Sequence, residues 1–281
     1  MSWVNEKLHD GFRQSHEIRE VLYEGRSKFQ KIRVFESARF GRVLTLDDVV
    51  QTTEADEFVY HEMMAHLPVF AHGKARQVLI IGGGDGGILE EVLKHRSVEG
   101  VTMVEIDGQV IEVAQKYLPA ICGKAFRNRR TELIVGDGAA FVAETDRRYD
   151  VVIVDSSDPI GPAEVLFASP FYQACRRVLN KGGVMVTQNG VPLMQGGEVT
   201  STHKHLKKIF PHTGFYVAAV PTYVGGFMTL GWAGDADLAK PSAAVINRRV
   251  AAAGIKGLKY YNADIHLGAF ALPGYVRNLM K

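Results

Sequence analysis

Acidic residues follow four predicted strands of this sequence, at the points where the strands end. In chain order they are Asp85, Glu105, Asp137 and Asp155. In an open sheet with helices on both faces, ligands bind beyond the carboxyl ends of the strands. We therefore expect these carboxylates to meet at one site, and their shared charge favours a ligand that carries positive groups.

The stretch from Gln77 to Gly87 predicts a buried strand that runs into a glycine-rich turn. Val78 to Ile81 are consecutive aliphatic residues, as expected for a central strand that is buried on both faces. Glycines follow, and helical spacing resumes at Ile88, so a ligand could approach the backbone at a helix N-terminus. Asp85 interrupts the glycines with a negative charge, which argues against a phosphate ligand.

Two of the strand-end acids have a nucleoside-binding interpretation and a structural alternative. Glu105 comes about twenty residues after the glycine turn, where an acid can accept hydrogen bonds from both ribose hydroxyls. The alternative is that Glu105 caps the next helix, although the glycine turn favours the ribose. Asp137 and Gly138 could bind an adenine amino group. Asp137 could equally cap a helix over residues 139–144, and the chemistry alone favours neither role.

A second pair of carboxylates lies in the loop after the fourth strand. Asp155 and Asp158 are three residues apart, and Pro159, Gly161 and Pro162 constrain the loop between and after them. Such a pair could bind a divalent metal, but the sequence has no histidine or further acid nearby to complete an oxygen-rich shell. We therefore expect no metal, and a cationic substrate instead.

Strand and helix signals alternate from Gln77 onward, which predicts a sheet with right-handed crossovers. The last two strands are close in sequence, which permits an antiparallel pair at one edge. We predict an α/β fold whose seven-stranded, Rossmann-like sheet resembles that of the S-adenosylmethionine-dependent methyltransferases. The strand candidates are residues 78–81, 101–104, 132–135, 151–154, 184–187, 215–220 and 227–232.

The first part of the chain predicts a separate, smaller unit. Residues 1–52 contain short strand candidates, two of which flank a predicted hairpin turn at Asp47-Asp48. Helical spacing begins at Glu54 and leads into the larger unit. We therefore divide the chain into an N-terminal β-strand domain at 1–52 and a Rossmann-like catalytic domain at 53–281.

Composition narrows the class of protein. The chain has 281 residues, of which 46% are hydrophobic, and its net charge of +2 gives no reason to expect nucleic-acid or membrane binding. Cys122 and Cys175 have no paired spacing, which favours free thiols in a reducing compartment. The start lacks a signal-like apolar core, and no apolar stretch approaches ~18 residues. We expect a cytoplasmic protein.

Several motifs, taken together and in this order, resemble the polyamine aminopropyltransferases, most closely the bacterial spermidine synthases. The resemblance covers nearly the whole chain. The motifs are Glu54-Ala-Asp-Glu-Phe-Val-Tyr-His-Glu-Met-Met64, Gly82-Gly-Gly-Asp-Gly-Gly87, Val104-Glu-Ile-Asp107, Asp155-Ser-Ser-Asp-Pro-Ile-Gly-Pro162, Gln188-Asn-Gly190, Tyr260-Tyr-Asn262 and Phe270-Ala-Leu-Pro273.

The resemblance implies an enzyme that transfers the aminopropyl group of decarboxylated S-adenosylmethionine to putrescine, giving spermidine and 5′-methylthioadenosine. Decarboxylated S-adenosylmethionine would be a co-substrate, and no cofactor or metal would be needed. The family also implies assembly, here a homodimer or homotetramer.

The resemblance further implies roles for individual residues. Asp155 would be the proton acceptor. Other family members carry Gln where His61 stands. The residues that would bind the aminopropyl donor are Gln30, Asp85, Glu105, Asp137, Gly138 and Pro162. Those that would bind the polyamine are Tyr60, His61, Asp85, Asp155, Asp158 and Tyr223.

This family gives Asp85 a physical role. Intact S-adenosylmethionine carries a carboxylate on its amino-acid tail, whereas the decarboxylated form ends in a bare ammonium. A carboxylate at that position attracts the second molecule and repels the first, so Asp85 would provide specificity through repulsion.

Other functions share parts of this pattern. A methyltransferase that uses intact S-adenosylmethionine would have the same fold but a different by-product. An aminopropyltransferase could act on another amine, such as cadaverine, spermidine or agmatine. A nucleoside-binding protein without catalysis would not need both Asp155 and Asp158.

Overall fold

The computed structural model describes residues 2–157 and 161–281, except for the side chain of Pro162. Asp158 therefore lies outside the described residues, as does the side chain of Pro162. The described residues form an N-terminal β-rich region and a larger region in which strands and helices alternate.

The N-terminal region contains a two-stranded and a four-stranded antiparallel sheet. The two-stranded sheet was not predicted, because two of its three buried side chains, Glu6 and His16, are polar and hide the apolar alternation beside Val4. Its strands are β1 (Ser2–Glu6) and β2 (Gln14–Ile18). The four-stranded sheet consists of β3 (Glu20–Arg26), β4 (Lys31–Ser37), β5 (Gly41–Leu46) and β6 (Val49–Thr53).

The predicted hairpin at Asp47-Asp48 is confirmed. Both residues have positive φ angles, 48° and 64°, as a two-residue turn between twisted antiparallel strands requires. Asp47 stabilises the turn, because its Oδ1 accepts a hydrogen bond from the backbone N–H of Lys31 at 2.9 Å. The side chain thus compensates for the missing glycine.

The larger region alternates strands and helices, as predicted. Its strands are β7 (Gln77–Gly82), β8 (Gly100–Glu105), β9 (Thr131–Val135), β10 (Tyr149–Asp155), β11 (Leu179–Gln188), β12 (His212–Ala219) and β13 (Phe227–Gly234). Its helices are α1 (Glu57–His72), α2 (Gly87–Leu93), α3 (Gly108–Tyr117), α4 (Pro119–Cys122), α5 (Gly138–Glu144), α6 (Ser169–Val178), α7 (Pro192–Ile209), α8 (Ala243–Ala253), α9 (Ala263–Gly268) and α10 (Gly274–Leu279), with 3-10 turns at Ala125–Arg127 and Gly161–Phe167.

The seven strands form one sheet in the order β12-β13-β11-β10-β7-β8-β9. Five adjacent strands of this sheet, β11, β10, β7, β8 and β9, run parallel to one another. Strand β13 is antiparallel to both of its neighbours, β11 and β12, so the predicted antiparallel pair at one edge is confirmed. The chain proceeds from β7 outward to β9 and then crosses to β10 on the other side of β7. The carboxyl ends of β7 and β10 therefore flank a topological switch point, where such sheets bind ligands.

The central strand β7 is buried on both faces. Val78 and Ile80 pack in the core beneath α1 and α2, whereas Leu79 and Ile81 pack on the opposite side with residues of α5 and α6. This two-sided burial explains the uninterrupted aliphatic run. Within the described residues, no helix combines the length and apolarity that crossing a bilayer requires.

Three boundaries differ from the predictions. Helix α1 begins at Glu57 rather than Glu54, because Glu54 accepts a hydrogen bond from the backbone N–H of Arg42 and remains bound to β5. The predicted division after residue 52 falls within β6, which ends at Thr53. Strand β11 begins at Leu179, five residues before Val184, and its pairing with β10 is irregular between these two residues, where Gly182 has a φ of 82°.

Glu62 of α1 anchors the C-terminal part of the chain to the core. Its buried carboxylate accepts hydrogen bonds from three consecutive backbone N–H groups, those of Lys259, Tyr260 and Tyr261, at 2.7–3.0 Å. Since leaving a buried N–H without an acceptor costs about 1–3 kcal/mol, this single side chain contributes to the stability of the whole C-terminal segment.

We predict that Glu62→Ala lowers the free energy of unfolding by about 2–4 kcal/mol, because three backbone donors lose their acceptor. Urea denaturation measures the change. The control is Glu112→Ala on the exposed face of α3, which should stay within about 0.5 kcal/mol of the wild type. Equal effects of the two substitutions would contradict the anchoring role.

Candidate active site

A cavity of about 650 Å³ opens at the carboxyl ends of β7, β8 and β10. Its wall includes residues of the large sheet and of the N-terminal region, so the two regions enclose it together. The strand-end acids that line it are Asp85, Glu105, Asp137 and Asp155, and the other predicted residues on its wall are Gln30, Tyr60, Gly138 and Tyr223.

The glycine turn brings β7 unusually close to β10. Gly82 has a φ of 82°, and a Cβ at this position would collide with the backbone carbonyl oxygen of Asp155. The next residue, Gly83, donates a backbone hydrogen bond to that same oxygen at 3.2 Å. Glycine is thus required here both for the left-handed backbone and for the close approach.

Asp155 is the carboxylate at the centre of the cavity wall. Burial raises the pKa of its carboxyl to about 7, and the negative charge of Asp85 adds to this effect. The Tyr60 hydroxyl opposes it by donating a hydrogen bond to Asp155 Oδ1 at 2.6 Å, and the charge of His61 acts in the same direction. A carboxyl with this pKa can gain or lose a proton near neutral pH, as a general base must.

Tyr60 and Tyr223 form the aromatic side of the cavity. Their rings meet edge to face with centroids 5.7 Å apart, and the Tyr223 hydroxyl donates to the backbone carbonyl of Gln51 at 2.8 Å. Burial, followed by the charge of Asp155, holds the pKa of the Tyr60 hydroxyl well above its usual range. Tyr60 therefore remains a neutral donor to Asp155.

Asp85 is held at the cavity wall from two directions. Its Oδ1 accepts a hydrogen bond from the backbone N–H of Gly87, the first residue of α2, at 2.8 Å. Its Oδ2 lies 3.3 Å from Nε2 of His61. The His61 ring itself is buried behind Asp85 and does not line the cavity, so its influence on a ligand passes through Asp85.

Glu105 faces the cavity from the end of β8. Burial raises the pKa of its carboxyl to about 7, although Glu105 Oε1 accepts a hydrogen bond from the backbone N–H of Asp107 at 2.8 Å. The helix-capping alternative does not describe Glu105, because Asp107 caps α3 by accepting from the N–H of Gln109.

Asp107 has a part in the site that the sequence did not reveal. Its Oδ2 accepts hydrogen bonds from Gln30 Nε2 at 3.0 Å and from the Ser27 hydroxyl at 2.6 Å. Gln30 belongs to the turn between β3 and β4, so Asp107 connects the N-terminal region to the cavity. The sequence signal that could have indicated this role is the position of Asp107, two residues after Glu105 and at the start of a helix.

Asp137 and Gly138 lie together at the end of β9, at the edge of the cavity. Asp137 caps α5, since its Oδ1 accepts from the backbone N–H groups of Ala139 and Ala140. A Cβ on Gly138 would clash with Ile81, so this glycine lets α5 pack against β7. The capping alternative is therefore confirmed, and Asp137 remains exposed on the cavity wall.

Other polar residues of the wall had no predicted role. Gln188, at the carboxyl end of β11, could have been found by the same strand-end rule as the acids. Glu6 reaches the cavity from β1, and no sequence signal indicated that strand. Among residues 2–157 and 161–281, no group of three histidine, cysteine or acidic side chains could hold a metal ion.

Comparisons with known proteins agree with this geometry. Residues 57–241 match the sequence model described as the spermine/spermidine synthase domain, and residues 2–54 match the spermidine synthase tetramerisation domain. The chain belongs to the spermine/spermidine synthase family. Relatives of the chain in this family are named polyamine aminopropyltransferases, and the chain is an enzyme of this family.

Relatives in this family are similar over their full length. The polyamine aminopropyltransferase of Ruegeria sp. strain TM1040 is 52% identical over 99% of this chain and 98% of its own. Polyamine aminopropyltransferase 1 of Pseudomonas aeruginosa is 54% identical over 98% of this chain and 96% of its own.

Solved structures of the family share the whole fold. A spermidine synthase in complex with the transition-state analogue AdoDATO superposes with a TM-score of 0.94 at 38% identity, over 99% of this chain and 94% of that one. The spermidine synthase of Thermotoga maritima gives 0.91 at 37% identity with the same coverage. The predicted Rossmann-like sheet and N-terminal β-rich region are thereby confirmed as the family's fold.

The raised pKa of Asp155 predicts a pH-dependent cost in stability. The folded protein holds the Asp155 proton up to about pH 7, whereas an unfolded Asp loses it near 3.8, so stability falls as the pH rises between these values. We predict that Asp155→Asn raises the free energy of unfolding of the ligand-free protein by about 2–4 kcal/mol at about pH 8 and by much less at about pH 5.

Denaturant titrations at both pH values measure this difference. The control is Asp146→Asn, which removes an exposed carboxylate and should change the stability little at either pH. A gain from Asp155→Asn that is equal at both pH values would contradict the burial of an ionising group.

Proposed function

We propose that this chain is a spermidine synthase, which transfers the aminopropyl group of decarboxylated S-adenosylmethionine to putrescine and releases 5′-methylthioadenosine. The observation that carries the proposal is that Asp85 and Asp155 line the same cavity as Glu105 and Asp137. The first pair suits the positive nitrogens of an amine and an aminopropyl group, and the second pair suits a nucleoside.

The nucleoside half of the cavity would be formed by Gln30, Glu105, Asp137, Gly138 and Pro162. Glu105 Oε1 is already used by a backbone N–H, and the ribose hydroxyls would donate to the carboxylate from the cavity side. Asp137 Oδ1 caps α5, so an adenine amino group would be accepted by the exposed edge of the same carboxylate.

The amine half would be formed by Tyr60, Asp85, Asp155, Asp158 and Tyr223, with His61 acting from behind Asp85. Aromatic faces and carboxylates together suit an alkyl diammonium ion, because the rings cover the methylenes while the acids accept from the nitrogens. Asp158 would hold the distal ammonium while the near nitrogen reacts.

The chemistry is a displacement at the carbon next to a sulfonium, so the leaving group needs little assistance. The attacking amine does need assistance, because an ammonium with a pKa of ~10.4 requires about 4–5 kcal/mol to lose its proton at neutral pH. Asp155 would take that proton. The nitrogen lone pair then forms the new C–N bond, and the electrons of the broken C–S bond neutralise the sulfur.

Neighbouring charges help the amine to lose its proton. The sulfonium of the donor and the second ammonium of putrescine both disfavour a charged attacking nitrogen. The Tyr60 hydroxyl orients the Asp155 carboxylate through their 2.6 Å hydrogen bond. We expect decarboxylated S-adenosylmethionine to act as a co-substrate, and we propose that no metal or other cofactor takes part.

We also propose that the chain assembles as a homodimer or homotetramer and works in the cytoplasm. Large apolar side chains are exposed in the N-terminal region, including Trp3, Phe12 and Val21 at 45–51%. The description of the model that matches residues 2–54 refers to tetramerisation. Both cysteines are free thiols, which supports a reducing compartment.

The acceptor amine can be identified directly. Each reaction contains the wild-type protein, either intact or decarboxylated S-adenosylmethionine, and one amine. The amines are putrescine, cadaverine, spermidine and agmatine, and the products are identified by mass. We expect spermidine and methylthioadenosine. A different polyamine would indicate another acceptor, S-adenosylhomocysteine would indicate a methyltransferase, and binding without turnover would indicate a nucleoside-binding protein.

We predict that Asp155→Asn lowers kcat by about 10²- to 10⁴-fold, the usual contribution of a general base, with a smaller effect on nucleoside binding. Steady-state turnover and the affinity for methylthioadenosine measure the two effects. The matched comparison is Glu105→Gln, which should weaken nucleoside binding more than it lowers kcat. Near-wild-type turnover of Asp155→Asn would rule out its role as proton acceptor.

We predict that Asp85→Asn weakens the discrimination against intact S-adenosylmethionine, because the repulsion of its carboxylate is lost. The measured quantity is the ratio of the two dissociation constants, for the intact and decarboxylated nucleosides. Glu105→Gln is the control. Glu105 would contact the ribose, which both nucleosides share, so its substitution should leave the ratio unchanged. An unchanged ratio in Asp85→Asn would refute the repulsion argument.

A further inference from the structure

Three side chains connect the first turn of α1 to the cavity, and we refer to Glu57, His61 and Asp85 as the charge triad. Glu57 Oε2 lies 2.7 Å from His61 Nδ1, one helical turn further along α1. On the other side of the ring, His61 Nε2 lies 3.3 Å from Asp85 Oδ2. Asp85 lines the cavity, whereas Glu57 and His61 lie behind it.

The backbone fixes the imidazole ring of His61 between these two carboxylates. A Cβ on Gly87 would collide with His61 Cε1 and Nδ1, so the ring lies directly against the start of α2. The same Gly87 donates its N–H to Asp85 Oδ1 at 2.8 Å. The side chains of the triad are 2–12% exposed, so water does not compete strongly for these contacts.

The hydrogen bonding of the triad determines the charge of the ring. An ionised carboxylate only accepts hydrogen bonds, and a neutral imidazole has a single N–H. Both ring nitrogens of His61 can therefore donate to Glu57 and Asp85 only when the ring is an imidazolium. Burial lowers the pKa of His61, but Asp85 and Glu57 outweigh this effect and raise the pKa well above its usual value near 6.5.

The surroundings of the ring are also negative. In the described part of the chain, the charged groups that face it are Glu57 on α1, Asp85 after β7 and, further away, Asp155 on β10. Tyr60 packs edge to face on the ring at 5.7 Å and is a neutral phenol. All three charged groups are carboxylates, and each of them favours the protonated form of the ring.

We propose that Glu57 is a positioning residue that holds His61 as an imidazolium, and that the imidazolium in turn holds the Asp85 carboxylate in place at the cavity wall. This inference rests on the proposed function for its consequence, since Asp85 is where the aminopropyl ammonium would bind. Glu57 itself touches no substrate and acts only through His61.

The triad has a defined net charge. Two carboxylates and one imidazolium sum to −1, and that charge is presented to the cavity by Asp85 alone. Without the imidazolium, the negative charge of Asp85 would act on Asp155 unopposed and raise the pKa of Asp155 further. Glu57 thus limits the repulsion between two acids in one small cavity.

The first test reads the protonation of the ring without any activity measurement. The ¹⁵N shifts of the imidazole are recorded through a pH titration of the wild type, of Glu57→Gln and of Glu112→Gln, an exposed control on α3. The chain has ten histidines, and the signal of the His61 ring is assigned as the one that disappears in His61→Gln.

We expect the wild-type and Glu112→Gln rings to be doubly protonated at about pH 8. In Glu57→Gln, which can keep a hydrogen bond but has no charge, the ring should lose its second proton at a lower pH than in the wild type, because only Asp85 then raises the pKa of His61 directly. A wild-type ring that is already neutral there would overturn the proposal even if the variant did not fold, and so would a Glu57→Gln ring that titrates like the wild type.

The second test reads the effect on Asp155 through the acid limb of the kcat/KM profile. In Glu57→Gln we expect this limb to move up by about 0.5–1 pH unit, because the lost imidazolium is closer to Asp155 than the lost carboxylate. His61→Gln should move the limb in the same direction and at least as far, because it removes the imidazolium and leaves the Glu57 carboxylate. In the double variant the shifts should not add, since both act through one ring.

A limb that is unchanged or moves down in Glu57→Gln would overturn the proposed effect on Asp155, because a structural role alone would lower the rate without moving the profile upward. Failure of the proposed function is a separate result. It would appear as the absence of an aminopropyl product from the wild-type protein, while the ring titration would still report on Glu57.

Discussion

The constraint on which the site depends is the crowding of carboxylates in a cavity that is partly shielded from water. Asp85, Glu105 and Asp155 share its wall, and burial raises the pKa of the last two to about 7. Taking ionised groups out of water costs several kcal/mol each unless partners compensate. The protein's own hydrogen-bond donors compensate only in part, and positive groups of a ligand would add to this compensation. Its shape and its charge therefore point to the same class of ligand.

The scaffold supplies the compensation that a sheet and its helices can give. The backbone N–H of Gly87 at the start of α2 binds Asp85, the N–H of Asp107 binds Glu105, and the Tyr60 hydroxyl binds Asp155. The first two donors directly follow the strand ends, whereas Tyr60 comes from α1, which packs against β10. The N-terminal region completes the enclosure, so the cavity exists only when both parts of the chain are folded together.

Features of the fold and the site that depend on local sequence patterns could be predicted. The aliphatic run of β7 indicated a doubly buried strand, and the strand-end rule found the acids of the cavity. It could not find Glu6, because that carboxylate faces inward on a strand with no apolar alternation. The family resemblance assigns His61 to the polyamine, and in the structure the ring lies against Asp85 and does not itself line the cavity. Sequence could not show that the Asp85 side chain lies between this ring and the cavity.

Ligand binding and proton loss are coupled in such a site. A bound sulfonium would lower the pKa of Asp155, since a nearby positive charge favours the carboxylate. The donor molecule would thus help to create the base that the second substrate needs. An ammonium that entered first would also lower this pKa, but it would gain by remaining protonated beside the acid. Productive deprotonation would therefore require both positive groups in the cavity together, and a single enclosed space suits the proposed binding of a nucleoside beside an amine.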